Sequence, residues 1–285
     1  MNAIVETRIC APDVKLFRVE APKIARRQLA GQFVIVRVAP HGERIPLTIA
    51  EASPVEGTIT LIVQAVGKTT TLMHALGAGD EILDVAGPLG TPSDVSHIGT
   101  VVVVGGGVGT AVSYPTAVAL AKAGNEVIAV IGARGREHLL LEIELRRVCA
   151  AVHPCTDDGS YGHHGLVTEP LAELLRTRQI DRVVAAGPVD MMQAVAEATR
   201  PLEVPTVSSH NPIMVDGTGM CGGCRVTVGG RERFACLDGP DFDAHLVDFE
   251  RLEQRNRAYV DAETSTMVGI GACARTSGDG LGRQP

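Results

Sequence analysis

Thr100-Val-Val-Val-Val-Gly-Gly-Gly-Val-Gly109 decides the fold of the middle of this chain. Val101 to Val104 form a continuous apolar run without alternation, as expected of a parallel strand buried on both faces. Glycines follow at once, and then a helix-like run from Ala111 to Lys122, closed by Gly124 and Asn125. A strand, a glycine turn and a helix in that order form a phosphate-binding unit. Glycine lets the backbone approach a phosphate, and the helix N-terminus offers free N–H groups and the positive end of its dipole. Gly105, Gly107 and Thr110 fill a G-x-G-x-x-G register with Thr in the last place, and Val108 and Gly109 complete the turn. A plain packing turn is the alternative reading.

Downstream, apolar strand-like runs at 126–131 and 182–186 alternate with helix-like runs at 139–148, 166–178 and 189–200. That alternation predicts a parallel α/β domain over residues 96–207. Ligands in such sheets lie at the carboxyl ends of the strands. Three loops fall there: Arg134 after the second strand, Thr156-Asp-Asp-Gly-Ser160, and Gly187-Pro188. Asp157 and Asp158 either orient a ribose or amide or form an Asx turn. Arg134 either touches the adenosine ribose or a phosphate, or makes a solvent salt bridge.

Upstream, residues 1–95 carry short β-branched runs at 14–19, 33–38 and 58–64, punctuated by Gly31, Pro40, Gly42, Pro54 and Gly57. This predicts a small β-barrel, ended by a tight turn at Gly87-Pro-Leu-Gly90. Gly67-Lys-Thr-Thr-Thr71 looks like the end of a P-loop, but Ile62 stands where that motif needs glycine, which excludes an ATPase. The stretch opens a short helical run at 72–76, where N–H groups and hydroxyls can hold a diphosphate.

After residue 208 the regularity ends. Asp216-Gly-Thr-Gly-Met-Cys-Gly-Gly-Cys224 is followed by Cys236. With cysteine at 216 the spacing would be that of a plant-type [2Fe–2S] centre. Three readings fit the residues: an iron–sulfur centre on Cys221, Cys224 and Cys236 with Asp216 or an outside ligand, structural zinc on the same donors, or a C-x-x-C thiol pair. Residues 225–228 and 233–235 suggest a hairpin around Gly229-Gly230. Residues 208–260 form a compact metal-binding segment, and 261–285, which include Cys273, a flexible tail.

The formal charge of -7 is spread along the chain without a basic block, so nucleic acid is not an expected partner. No run of about 18 uncharged apolar residues suggests a membrane span. Glu6 and Arg8 interrupt the first ten residues, which do not read as a signal peptide. Seven cysteines, three with metal-like spacing, point to a reducing cytoplasm.

Arg44-Ile-Pro-Leu-Thr48, residues 156–162, Ala186-Gly-Pro188 and residues 211–224, in this order, resemble the ferredoxin–NADP reductase superfamily. More narrowly, residues 1–255 resemble the electron-transfer subunit of bacterial dihydroorotate dehydrogenases. They resemble most closely the small (alpha) subunits of NADH-dependent reduced ferredoxin:NADP oxidoreductases, which are electron-bifurcating transhydrogenases. The resemblance implies a six-stranded antiparallel barrel with FAD in its cleft. Arg44 would meet its diphosphate. Pro46, Leu47 and Thr48 would line the isoalloxazine, with Thr48 near its reactive nitrogen. Gly67, Thr69, Thr70 and Thr71 would complete the diphosphate site. The turn from Gly105 to Gly109 would bind NAD(H) or NADP(H), with Gly187 and Pro188 on the nicotinamide side. Ala186 stands where many relatives have cysteine. Asp216, Cys221, Cys224 and Cys236 would be the four ligands of one [2Fe–2S] cluster. Asp at 216 matches the transhydrogenase subunits, whereas the dihydroorotate type has Cys.

The implied activity is hydride exchange between NAD(P)H and FAD and relay of single electrons through the cluster. The implied partner is a larger subunit with a second flavin and [4Fe–4S] centres, in a heterodimer or dimer of heterodimers that serves ferredoxin. The alternatives are the electron-transfer subunit of a dihydroorotate or sulfide dehydrogenase and, from another class, a zinc-stabilised nucleotide-binding regulatory module.

Overall fold

β-Branched runs draw the N-terminal part of the chain into strands: β1 (Asn2–Ala11), β2 (Val14–Glu20), β3 (Phe33–Arg37), β4 (Arg44–Ser53), β5 (Thr58–Gln64), β6 (Glu81–Ile82) and β7 (Asp84–Leu89). In the computed structural model, which describes residues 2–260, they form one antiparallel sheet in the order β6-β1-β2-β5-β4-β3-β7. Ile82 pairs with Asn2 on one edge, and Asp84 pairs with Arg37 on the other. Two residues span at most about 7 Å, so the edges meet and the sheet is a nearly closed barrel. The strand beyond the expected six is the two-residue β6. A second difference is Gly87-Pro-Leu-Gly90, which runs as strand as far as Leu89 with a cis Gly87–Pro88 bond. An edge strand tolerates the missing proline N–H. Two short helices, α1 (Pro22–Ala25) and α2 (Lys68–His74), border the barrel. Its interior is Phe17, Val34, Ile59, Leu61 and Met73, all fully or almost fully buried.

The second sheet holds β8 (Thr100–Gly106), β9 (Glu126–Ala133), β10 (Ala151–Thr156), β11 (His163–His164), β12 (Arg182–Ala186) and β13 (Thr206–Ser209). Its order is β11-β10-β9-β8-β12-β13-β16, parallel except for β16 (Asp241–Asp243), which joins β13 antiparallel. On one face α3 (Gly109–Lys122) and α4 (Glu142–Arg146) cover Val101, Val103 and Ile131. On the other, α5 (Thr168–Thr177), α6 (Val189–Thr199) and α7 (Phe249–Asn256) cover Val102, Val104 and Val183. α4 is shorter than the run at 139–148 implies, because Leu141 adopts a left-handed φ of 57° at its start.

β14 (Arg225–Val228) and β15 (Arg231–Phe234) form the expected hairpin. Gly229 and Gly230 have φ of 57° and 73°, the two positive values that a two-residue type I′ turn demands. The cysteine segment has no core of its own. Cys224, Val226 and Cys236 lie in one buried cluster with Val102 of the second sheet, Leu171 of α5, and Phe33 and Ile35 of the barrel. Cys273 and residues 261–285 lie outside the described residues.

Candidate functional site

From β8 the chain winds to β9 and β10 on one side, and β12 and β13 continue on the other. The sheet therefore changes direction between β8 and β12, and the crevice above their carboxyl ends is where such sheets bind ligands. The glycine turn and Gly187-Pro188 flank this crevice, with Gly105 paired to Ala186. The glycines there play different parts. A Cβ on Gly105 would meet Thr110 Cα at 2.7 Å, and one on Gly109 would meet Gly187 Cα at 2.6 Å. Both are packing glycines that let α3 and the β12 loop close over the strand. Gly107 has a φ of 54°, and a Cβ added there would meet nothing within 4 Å, so this is the position open to a ligand. Val108 precedes α3 and offers no side-chain cap, so the first turn lacks a protein acceptor from that residue.

At the carboxyl ends of β9 and β10, Ala133 and Arg134 carbonyls accept from Asp157 and Asp158 N–H groups, both at 3.1 Å. Arg134 and Asp157 are exposed beside each other. Asp158 is already engaged: its Oδ1 accepts from Ser160 N at 2.9 Å and from Ser160 Oγ at 2.6 Å. Those Ser160 hydrogen bonds hold the carboxyl below the usual carboxylate range. The Asx-turn reading therefore describes Asp158, and Asp157 and Arg134 remain available.

On the barrel, β4 pairs with β3 through Thr48 opposite Phe33, Leu47 opposite Val34 and Pro46 opposite Ile35. Paired residues share a face. Leu47 packs into the barrel core beside Val34, so its side chain backs the site from inside rather than lining it. Pro46 and Thr48 lie on the face of Ile35 and Phe33, outside the barrel core. Thr69, expected at a diphosphate, donates its hydroxyl to Glu43 Oε2 at 2.9 Å, and Thr70 Oγ1 accepts from Gly67 N at 2.9 Å. These hydroxyls hold the local structure. The Thr69 bond brings the start of α2 to the residue before Arg44, whose exposed guanidinium has no ion pair among the described residues. Thr71 is half-buried in the same turn.

The hairpin register sets Arg225 opposite Phe234, which brings the flanking Cys224 and Cys236 together with sulfurs 3.2 Å apart. Both are buried free thiols. Burial, reinforced by the Cys224 thiol, pushes the Cys236 thiol up to about 12. Cys221 is exposed, and its sulfur accepts from Gly223 N at 3.4 Å. Asp216 faces its own loop, accepting from Thr218 N and Cys221 N, both at 2.9 Å. The Thr218 N–H foremost keeps its carboxyl low. Among the described residues no three such ligands already converge. Two of the four expected ligands are thus preassembled, and the other two sit on the glycine loop above them. The donor set fits a thiophilic metal centre: two adjacent buried thiols without a charge partner are what a cation deprotonates and binds. Arg255 of α7 props this loop by donating to Gly223 O at 3.1 Å, a contact the sequence did not announce.

His210, just upstream, is 2% exposed between Phe242 and Phe249, and its Nε2 lies 2.7 Å from Ser208 Oγ. Burial lowers its pKa from 6.5 to about 4. Between those values the unfolded chain binds a proton that the folded one refuses. Stability is therefore full above pH ~6.5 and falls as pH drops toward ~4, by roughly 3 kcal/mol from this group. Denaturant midpoints taken across that window should slope less in His210→Phe than in the wild type; equal slopes would remove His210 as the cause.

Residues 211–248 match the iron–sulfur cluster binding domain of dihydroorotate dehydrogenase B. The chain is 45% identical to the dihydroorotate dehydrogenase B (NAD(+)) electron transfer subunit homolog of Thermotoga maritima, over 92% of this chain and 93% of that one. It is 35% identical to the dihydroorotate dehydrogenase B electron transfer subunit of Bacillus caldolyticus, over 76% and 86% of the two chains. A solved chain of the NADH-dependent reduced ferredoxin-NADP oxidoreductase, a structure concerned with flavin-based electron bifurcation, matches with a TM-score of 0.88 at 42% identity, covering 94% of this chain and 98% of that one. The cytochrome b5 reductase domain of Ulva prolifera nitrate reductase, at 19% identity and a TM-score of 0.60 over 73% and 95% of the chains, shares the fold.

Proposed function

Because the chain belongs to the family of dihydroorotate dehydrogenase B electron transfer subunits, we propose that it exchanges a hydride between NAD(P)H and a bound FAD and relays single electrons through a [2Fe–2S] centre to a larger partner subunit. The observation that carries this reading is a shared support. A Cβ on Gly217, next to Asp216, would meet Ile35 Cγ1 at 2.7 Å and Leu89 Cδ1 at 2.8 Å. Ile35 is the cross-strand partner of Pro46. The cysteine loop therefore rests on the strand face that presents Pro46 and Thr48, one strand spacing of about 5 Å away. A flavin site on β4 and a cluster loop resting on β3 and β7, the next strands of the same sheet, are close enough for electron transfer between them.

When bound, the dinucleotide and flavin supply hydride chemistry and the cluster supplies one-electron steps. The chain supplies position. Residues 1–95 hold the flavin, 96–207 the dinucleotide and 208–260 the cluster. Arg44 offers its planar fork to the flavin diphosphate, beside the backbone of Gly67, Thr69, Thr70 and Thr71. Pro46 and Thr48 flank the isoalloxazine and Leu47 supports them. Gly107 and Val108 take the dinucleotide diphosphate, on a turn closed by Gly105 and Gly109. Arg134 and Asp157 take its ribose. Gly187 and Pro188 hold the nicotinamide end. Asp216, Cys221, Cys224 and Cys236 hold the iron. Asp216 favours the ferredoxin-NADP oxidoreductase type, whose partner carries a second flavin and [4Fe–4S] centres, over the dihydroorotate type.

Anaerobic purification tests the proposal. Flavin bands, cluster absorption and about two irons per chain are expected, with the flavin bleached on adding NADH or NADPH. A colourless zinc protein would sink it. Copurification with a dihydroorotate-oxidising flavoprotein would overturn the choice of partner type.

A further inference from the structure

Ser93 lies in the segment that leads from the barrel to the second sheet. Its hydroxyl donates to Asp241 Oδ2 at 2.5 Å and lies 3.1 Å from Thr116 Oγ1 on α3. Ser209 of β13 pairs with Asp241 across the ladder, so its side chain shares the face of the same carboxyl. Through Ser93 this carboxyl joins the connecting segment, α3 and β16, and β13 lies alongside through its ladder with β16.

Each element leads to a different part of the site. Ser93 N donates to Ala30 O at 2.9 Å and Gln32 Nε2 to Gly90 O at 2.8 Å, which ties the segment to the loop before β3. α3 begins at the glycine turn. Ser209 pairs with Ala186, the residue before Gly187-Pro188, and Asp241 pairs with Ser209. Asp241 ends the short strap from Cys236, which is stitched to Thr91 through Leu237 O and Gly239 O, both at 2.7 Å. Burial raises the Asp241 carboxyl above the usual range, and the Ser93 hydroxyl that donates to it offsets part of that rise. A cavity of about 230 Å³, lined by Thr91, Asp94, Thr116, Arg182 and Asp243, borders it. Truncating Asp241 would enlarge that space instead of letting neighbours close in.

We propose that Asp241, with Ser93, Thr116 and Ser209, is a positioning node that sets the barrel and the cysteine strap against the crevice between β8 and β12. It touches no reacting atom and acts through the elements it joins. The proposal deepens the functional reading above and rests on it.

Asp241→Asn keeps the shape and an acceptor for the Ser93 hydroxyl, and Asp241→Ala removes both. In the full chain without cofactors, hydrogen exchange at the Thr91, Ser93 and His210 amides should quicken in Asp241→Ala and stay at the wild-type rate in Asp241→Asn. In the FAD-loaded chain, Asp241→Ala should retain flavin and iron but show flavin reduction at saturating NADH slowed about tenfold, as small misplacements do, with Asp241→Asn near wild type. Ser93→Ala should move both readouts in the same direction by less, and it keeps the test available if Asp241→Ala folds poorly. Unchanged exchange and rate in Asp241→Ala or Ser93→Ala would overturn the node, as would Asp241→Asn behaving like Asp241→Ala. A wild type that no nicotinamide reduces would refute the functional reading, while the exchange measurement would still judge the node.

Discussion

Replacing Cys236 by alanine is expected to strip iron from the chain while the barrel keeps its flavin. Cys224 and Cys236 are the half of the site that is built before any metal arrives, with sulfurs 3.2 Å apart and both buried. Cys221 and Asp216 lie on a loop whose side chains are turned to its own backbone. Removing one member of the preassembled pair leaves no fixed seat for the loop ligands to close upon. Loss of an outer-sphere partner typically costs 10–100-fold in metal affinity, and loss of a direct thiolate ligand should exceed that. Iron and sulfide analysis, with paramagnetic resonance of the reduced protein, should find the cluster gone and the flavin spectrum intact. Asp216→Cys is the contrasting case. The carboxylate must release the Thr218 and Cys221 N–H groups to reach a metal, whereas cysteine has no such prior bonds to lose. Iron should be retained with a displaced reduction potential. Full iron content in Cys236→Ala would rule out the ligand assignment.

The parts of the fold set by local pattern were legible, and the parts set by long-range pairing were not. Val101 to Val104 followed by glycine announced β8 and α3, because burial on both faces leaves no polar position in the strand. The Gly229-Gly230 turn announced the hairpin through its need for two positive φ values. By contrast, β6 and β16 are two and three residues long, and they exist because an existing sheet edge accepts them. α7 carries a readable signal in hindsight: Asp248 caps it by accepting from Arg251 N at 3.0 Å, and Phe249 and Leu252 bury one face. In the candidate site, residue types named the loops but not the neighbours that each side chain takes. Asp158 serves a turn, Thr69 serves Glu43 and Leu47 serves the barrel core. Each of these depends on which neighbour the fold places within hydrogen-bond or packing reach, and composition holds no record of that. The Asp241 node is further still from the sequence, since its hydroxyls come from residues 93, 116 and 209.

Gly109→Ala should destabilise the chain and abolish dinucleotide binding together. A Cβ there would run into the Ala186 carbonyl, with its carbon at 2.5 Å, and Gly187 Cα at 2.6 Å. These are backbone atoms at the end of a central strand and cannot step aside as a side-chain tip can. Relief requires the glycine turn and the Gly187-Pro188 loop to separate, and that separation widens the crevice between β8 and β12. Overpacking costs roughly 1–3 kcal/mol where side chains can adjust, and a clash between two backbones should lie at or above the top of that range. Displacement of the site by about 1 Å can cost 100-fold. Gly107→Ala supplies the comparison. Its φ of 54° makes alanine strained by about 1 kcal/mol, but the space around it is open. If Gly107 admits the phosphates and Gly109 closes the turn, thermal melting and dinucleotide titration must respond differently in the two variants. Gly109→Ala should lower the melting temperature strongly and lose binding as a consequence. Gly107→Ala should melt within a few degrees of wild type yet bind far more weakly, because its new methyl occupies the space left for the ligand. A Gly109→Ala chain that melts like the wild type would show that the two loops do not meet as described, and the crevice with them.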